Sequence, residues 1–77
     1  MISYGFAYEK AKTLKNNINA CTEYEQGYVF YNTNDQDYDG GAGHTPVIIL
    51  KENGEAVNYL YNIVNGLGEE VKNIEIK

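Results

Sequence analysis

The chain has no arginine and no tryptophan, and only one cysteine, one proline, one histidine and one methionine in 77 residues. Each scarcity excludes something. Six lysines stand against eleven acidic residues, for a formal charge of −5. Without arginine there is no clustered cationic surface to track a phosphate backbone, which excludes direct nucleic-acid binding. The lone Cys21 forms no internal disulfide and suits a reducing, cytoplasmic setting. No apolar run approaches the roughly 20 residues of a membrane-spanning helix. Residues 1–11 have neither the basic start nor the continuous apolar stretch of a signal peptide, so none is expected. What is present is one small domain, 1–77, with 43% apolar residues, eight Tyr and two Phe.

A domain of this size buries only about 60% of the surface its unfolded chain exposes. The core must come from Val, Ile, Leu, Phe and the tyrosines. A tyrosine ring is a large apolar body with a polar tip, so eight of them are expected at the core edge with hydroxyls outward, or on a binding face.

Ser3 reads as a helix N-cap. Ala7, Ala11, Leu14 and Ile18 recur at helical spacing and define one face, which predicts a helix over residues 4–16 ended by Asn16 and Asn17. From Ala20 the period changes to two: Cys21, Glu23 and Glu25 alternate with Thr22 and Tyr24. Gln26-Gly27 reads as a turn, and Tyr28-Val29-Phe30-Tyr31 as the returning strand. Residues 32–45 hold little to bury and form a long polar loop, a length uncommon unless functional. Pro46 opens the apolar run Val47-Ile48-Ile49-Leu50, a central strand buried on both faces. Lys51 to Glu55 is a hairpin turn in which Asn53-Gly54 supplies two positive φ angles, and residues 56–59 return as a strand. Leu60, Ile63, Val64 and Leu67 fit a short helical face ended by Gly66 or Gly68, and 71–76 an edge strand. The predicted fold is α+β: a four- to five-stranded antiparallel sheet with one N-terminal helix packed on one face, in the order α-β-β-β-β-(short α)-β.

Charge is unevenly spread. Residues 19–46 carry Glu23, Glu25, Asp35, Asp37 and Asp39 with no cation, whereas residues 1–18 sum to +2. The first hairpin and the long loop thus read as an acidic, aromatic surface. That is either a solvated region kept acidic for solubility or a docking face for a basic partner, steered by charge and held by tyrosine. The contact candidates are Glu23, Glu25, Asp35, Asp37, Tyr38 and Asp39.

Other chemistries are less well served. Asp35-Gln36-Asp37-Tyr38-Asp39-Gly40 matches the opening of a calcium loop, where alternating carboxylates converge on one hard cation. Position twelve of that loop, which needs a bidentate Glu, is Pro46, so only weak calcium binding by Asp35, Asp37 and Asp39 is left open. Residues 40–45, Gly-Gly-Ala-Gly-His-Thr, offer bare backbone but neither a phosphate-binding lysine nor dinucleotide spacing. Cys21 and His44 make a thiol–imidazole couple with no orienting third group. Cys21 is more simply a buried small hydrophobe. Glu23 and Glu25, sharing one strand face, lack a cleft that would perturb their pKa values. No enzyme, and no cofactor, is expected.

Gly27-Tyr28-Val29-Phe30, then a polar loop, then Gly43-His44-Thr45-Pro46-Val47-Ile48-Ile49-Leu50-Lys51-Glu52-Asn53-Gly54-Glu55, resembles the YrhB-like immunity-protein family of bacteria over residues 3–58. The family tends to carry Trp where this chain has Tyr28, and residues after Tyr59 do not match it. The resemblance implies an immunity protein that neutralises a polymorphic toxin, or a chaperone-like role, with structural duties for Gly27, Tyr28, Phe30, Pro46 and Gly54 and no catalytic residues. The combined expectation is a non-enzymatic, cytoplasmic inhibitor, monomer or homodimer, that blocks a basic protein stoichiometrically. A calcium-binding module, a phage-encoded inhibitor mimicking nucleic-acid charge, and a small domain of structural role are the alternatives.

Overall fold

A computed structural model of the chain describes residues 1–15, 17–33, 46–58 and 65–76. Among them lie a helix α1 (Tyr4–Leu14) and five strands: β1 (Ala20–Tyr24), β2 (Gly27–Tyr31), β3 (Val47–Leu50), β4 (Ala56–Val57) and β5 (Glu70–Glu75). All strand pairs are antiparallel, and the sheet order is β4-β3-β2-β1-β5. The predicted α+β class and helix-on-sheet layering hold. Of the short helical face predicted from Leu60, Ile63, Val64 and Leu67, the first three lie outside the described residues, and Leu67 stands outside any helix, buried against the sheet. The calcium-loop carboxylates, Tyr38, the glycine run and His44 also lie outside the described residues. No helix among the described residues is long and apolar enough to cross a membrane.

Ser3 starts α1 as predicted: extended at φ −86°, ψ 164°, it accepts at Oγ from the Phe6 N–H at 3.2 Å. The helix ends at Leu14, two residues earlier than its pattern implies, because Lys15 swings to φ −146° while its N–H still reaches the Ala11 carbonyl. Ala7 and Ala11 are fully buried, but Leu14 is 58% exposed. The buried arc is turned towards Tyr4 and Tyr8, whose rings pack on Phe30 at 5.9 and 6.2 Å between centroids, and this leaves Leu14 on the flank. Two alanines bring the helix close to the sheet, and the tyrosines fill the space beside them.

The first hairpin is shifted by one residue from its sequence reading. Glu25 and Gln26 form the bend, so Glu25 is not a strand neighbour of Glu23, and Gly27 is the first residue of β2. Gly27 sits there because a Cβ would come within 3.2 Å of both the Ile49 carbonyl oxygen and Leu67 Cδ2. Neither bend residue has positive φ. The bend is held instead by its neighbours: Glu25 and Gln26 donate to the Glu69 and Leu67 carbonyls, and the Lys51 N–H donates to Gln26.

In the second hairpin only Gly54 has positive φ, 73°; Asn53 does not. Five residues, Lys51 to Glu55, bridge β3 and β4, as the sequence reading has it. Gly54 N–H bonds to the Leu50 carbonyl at 2.8 Å, and Asn53 Oδ1 accepts from the Glu55 N–H at 2.9 Å. The asparagine thus shapes the turn through its side chain rather than through a left-handed backbone. β4 is shorter than predicted, ending at Val57. β5 runs one residue earlier than predicted and pairs with β1 at the sheet edge.

Because side chains alternate along a strand, the sheet has two buried faces. Under α1 lie Cys21, Tyr28, Phe30 and Ile49 with Ala7 and Ala11. On the opposite face lie Val29, Ile48, Leu50 and Leu67. Ile48 and Ile49, both fully buried, point to opposite faces, as a central apolar run requires. Each such side chain contributes about 1.5–3 kcal/mol of burial.

Candidate functional site

Antiparallel pairing brings three chain reversals to one end of the sheet: the β1–β2 bend, the β3–β4 turn and the start of β5, where Glu70 pairs with Tyr24. The start of α1 joins them, with Ile2 N–H bonded to the Lys51 carbonyl at 2.9 Å. The three sheet segments, unlike the start of α1, carry glutamate. Glu25, Glu52, Glu55, Glu69 and Glu70 are all exposed there. The positive end of the α1 dipole faces the same region, which favours the accumulation of carboxylates.

Glu23 is different. It stands in β1 opposite Tyr28, on the face covered by α1, and its Oε2 lies 2.7 Å from Lys51 Nζ. The ammonium is also 5.0 Å from the centre of the Tyr28 ring. The two charged side chains are 10% and 17% exposed for Lys51 and Glu23, so the pair is largely removed from solvent. A carboxylate, a cation and an aromatic face therefore satisfy one another inside the fold. The uncompensated charge read for residues 19–46 is thus compensated at Glu23 by a lysine 28 residues away.

Glu25 also has an internal task. Its Oε1 accepts the Glu69 N–H at 3.0 Å, tying the first bend to the start of β5. It lies over Gly68, at φ 83°, where a Cβ would meet Glu25 Oε1 at 2.5 Å. The residue as a whole stays exposed. Glu25, Gln26, Leu50, Lys51, Glu52 and Met1 line an open cleft of about 440 Å³ at this end of the molecule. Leu50 is its apolar floor, and Glu25 and Glu52 set the charge of its rim.

The flanks of the long loop leave from the other end of the sheet, after Tyr31 and before Val47. Asn19 fastens that end. It accepts at Oδ1 from the Thr33 N–H, donates from Nδ2 to Thr33 Oγ1 at 3.0 Å, and its carbonyl accepts from Ile76 N–H. Glu25 and the described flanks of the 34–45 segment are therefore at opposite ends of β2. Asp35, Asp37, Tyr38 and Asp39 themselves fall outside the described residues.

Burial, reinforced by Glu23, pushes the Cys21 thiol up to about 12, so almost no thiolate exists near neutrality. The thiol is a core group. Burial and then Glu23 also raise the Tyr28 phenol, while Lys51 opposes them, and burial followed by Cys21 raises Tyr4. Among the described residues no three His, Cys, Asp or Glu side chains gather to hold a metal.

Glu52, Glu55, Glu69 and Glu70 did not stand out when charge was counted by segment. The signal was the position of glutamate at successive chain reversals, which becomes an acidic end once the strand order is known. No family model, no curated protein and no solved structure matches the chain.

Proposed function

We propose that the protein is a non-enzymatic binding module of the immunity or inhibitor kind, which occupies a basic surface of a partner protein and blocks it stoichiometrically. The observation that carries this reading is the acidic turn end: Glu25, Glu52, Glu55, Glu69 and Glu70 exposed together beside a cleft floored by Leu50. Such a surface speeds encounter with a cationic partner, and an apolar floor adds contact area once charges have aligned the two. The sequence resemblance to YrhB-like bacterial immunity proteins supports a toxin as the partner and a cytoplasm as the place of action, which also suits the single reduced Cys21. Asp35, Asp37, Tyr38 and Asp39 extend the same acidic character in sequence and remain contact residues in this proposal. Glu23 is assigned to the fold, because its carboxylate is occupied by Lys51.

The test is capture of a partner from host lysate at low salt, repeated at high salt, followed by rescue of cells expressing the captured protein. One basic protein, bound near stoichiometry, released by salt and neutralised by co-expression, is the expected result. Reversal of Glu52, Glu69 and Glu70 to Lys should weaken that complex and flatten its salt dependence. Unchanged affinity in the reversed variant would remove the turn end from the function.

A further inference from the structure

We propose that the cleft at the turn end is a receptor for one long cationic side chain, a lysine or arginine, presented by the partner protein. This deepens the preceding reading and rests on it for the existence of that partner.

The cleft has a volume of about 440 Å³ and is lined, among the described residues, by Met1, Glu25, Gln26, Leu50, Lys51 and Glu52. Three of these residues have their backbone groups committed to the fold. The Gln26 N–H donates to the Leu67 carbonyl at 2.9 Å, and the Gln26 carbonyl accepts from the Lys51 N–H at 3.0 Å. The Leu50 N–H donates to the Glu55 carbonyl at 2.9 Å, and the Leu50 carbonyl accepts from the Gly54 N–H at 2.8 Å. The Lys51 carbonyl accepts from the Ile2 N–H at 2.9 Å. No N–H of the three is left for an anion or for the carbonyl of an added peptide strand. Recognition in this cleft therefore falls to apolar surface and to side-chain charge.

That charge is of one sign. The Lys51 ammonium lies 2.7 Å from Glu23 Oε2 and 5.0 Å from the centre of the Tyr28 ring, so it is neutralised within the fold. Glu25 and Glu52 are exposed. Glu25 Oε1 accepts the Glu69 N–H at 3.0 Å, and a carboxylate has about four acceptor sites, so capacity for a cation is left over. Leu50 and Met1 supply the apolar part, the methionine as an adaptable side chain.

The combination selects its occupant. An apolar floor is matched by a stem of methylenes, and an acidic rim by a cation. Lysine and arginine carry both, and they lay the stem along apolar surface while the charged head stays in water. Because the cleft is open, the head keeps much of its hydration and avoids the large cost of burying a charge.

The experiment titrates the full ¹⁵N-labelled chain with Nα-acetyl-arginine methylamide. Two further probes divide the ligand: the citrulline analogue, a neutral isostere with the same stem, and methylguanidinium, the head without the stem. The expected result is a saturable shift in the millimolar range, centred on the amides of Gln26, Leu50, Lys51 and Glu52. The citrulline probe should bind about fivefold more weakly, as loss of partly exposed ion pairing predicts. Methylguanidinium should bind about tenfold more weakly, because it leaves the floor uncovered. Glu52→Gln should weaken the arginine probe about threefold. Absence of a saturable response, shifts confined to Glu69 and Glu70, or equal binding of the citrulline probe would overturn the proposal. So would equal binding of methylguanidinium, which would identify an acidic surface with no use for the stem. The probe comparison is made on the unchanged chain and depends on no variant.

No partner protein enters this experiment. Failure of the arginine probe on a chain that still captures a basic partner would overturn the cleft and leave the binding function standing. Binding of the probe by a chain that captures no partner would support the cleft and remove the function.

Discussion

β3 and β5 belong to one sheet and face opposite physical situations. β3 has a strand on each side, α1 over one face and Leu67 over the other, and Ile48 and Ile49 lose all exposure. Among the described residues β5 has one neighbouring strand, and five of its six side chains are exposed. It is held by backbone pairing to β1, by the half-buried Ile74, by the Thr22 Oγ1–H bond to Asn73 Oδ1 at 2.8 Å and by the Glu25 carboxylate at its start. Stability is thus concentrated at the centre, and exposed charge at the rim. A domain this small cannot hide both faces of every strand, so the division of labour follows from its surface-to-volume ratio.

The contrast can be broken first at its centre. Phe30 is fully buried and touches the rings of Tyr4, Tyr8 and Tyr28. Phe30→Ala should cost about 3–5 kcal/mol, enough to leave much of the chain unfolded in urea titration at 25 °C. Lys51→Met comes next. It strands the Glu23 carboxylate in a mostly buried place and should cost about 1–3 kcal/mol, less than a fully buried pair because some solvent reaches both groups. The double variant Glu23→Leu, Lys51→Met should recover much of that loss, and a double-mutant cycle measures the coupling.

Two glycines sharpen the comparison between packed and open turns. Gly54 and Gly66 both have positive φ, at 73° and 77°. A Cβ at Gly54 would meet Phe6 Cε1 at 2.7 Å, while among the described residues nothing lies within 4 Å of one at Gly66. Gly66→Ala should therefore cost about 1–2 kcal/mol of backbone strain alone. Gly54→Ala should cost more, and differential scanning calorimetry will rank them. At the rim, Val71→Thr should change stability by no more than about 0.5 kcal/mol, since Val71 is already 54% exposed.

Alkaline pH probes the centre without mutation. The Cys21 thiol titrates near 9 when unfolded and near 12 when folded. The folded state therefore keeps its proton over that window while the unfolded state loses it. This stabilisation is complete below pH 9 and is lost as pH rises towards 12, with a slope of at most about 1.4 kcal/mol per pH unit from this group. The raised phenols of Tyr4 and Tyr28 act in the same direction. Cys21→Ala should flatten the fall, and thiol labelling of the native chain at pH 8 should be far slower than in denaturant.

Much of the fold was legible because its signals are local. The Ser3 cap needs only its own hydroxyl and a nearby N–H. The period-two stretches and the run from Val47 to Leu50 report burial one residue at a time. The boundary errors have tertiary causes. Leu14 satisfied the helical spacing but lost its place on the sheet to Tyr4 and Tyr8. Gly27 looked like a turn residue, yet its smallness serves the close approach of Ile49 and Leu67. The site was less legible still, because its two strand glutamates divided: Glu23 turned inward to a distant lysine, and Glu25 moved into the bend.

By itself, then, the sequence determined the α+β class, the start of the helix, the central strand, the two hairpins, the buried character of Cys21 and the acidic balance. Only the tertiary structure decided which carboxylates are spent inside the fold and which share a surface. Periodicity and propensity act between residues a few positions apart. A salt bridge across 28 residues, or an acidic end gathered from three chain reversals, exists only after antiparallel pairing has brought those segments together.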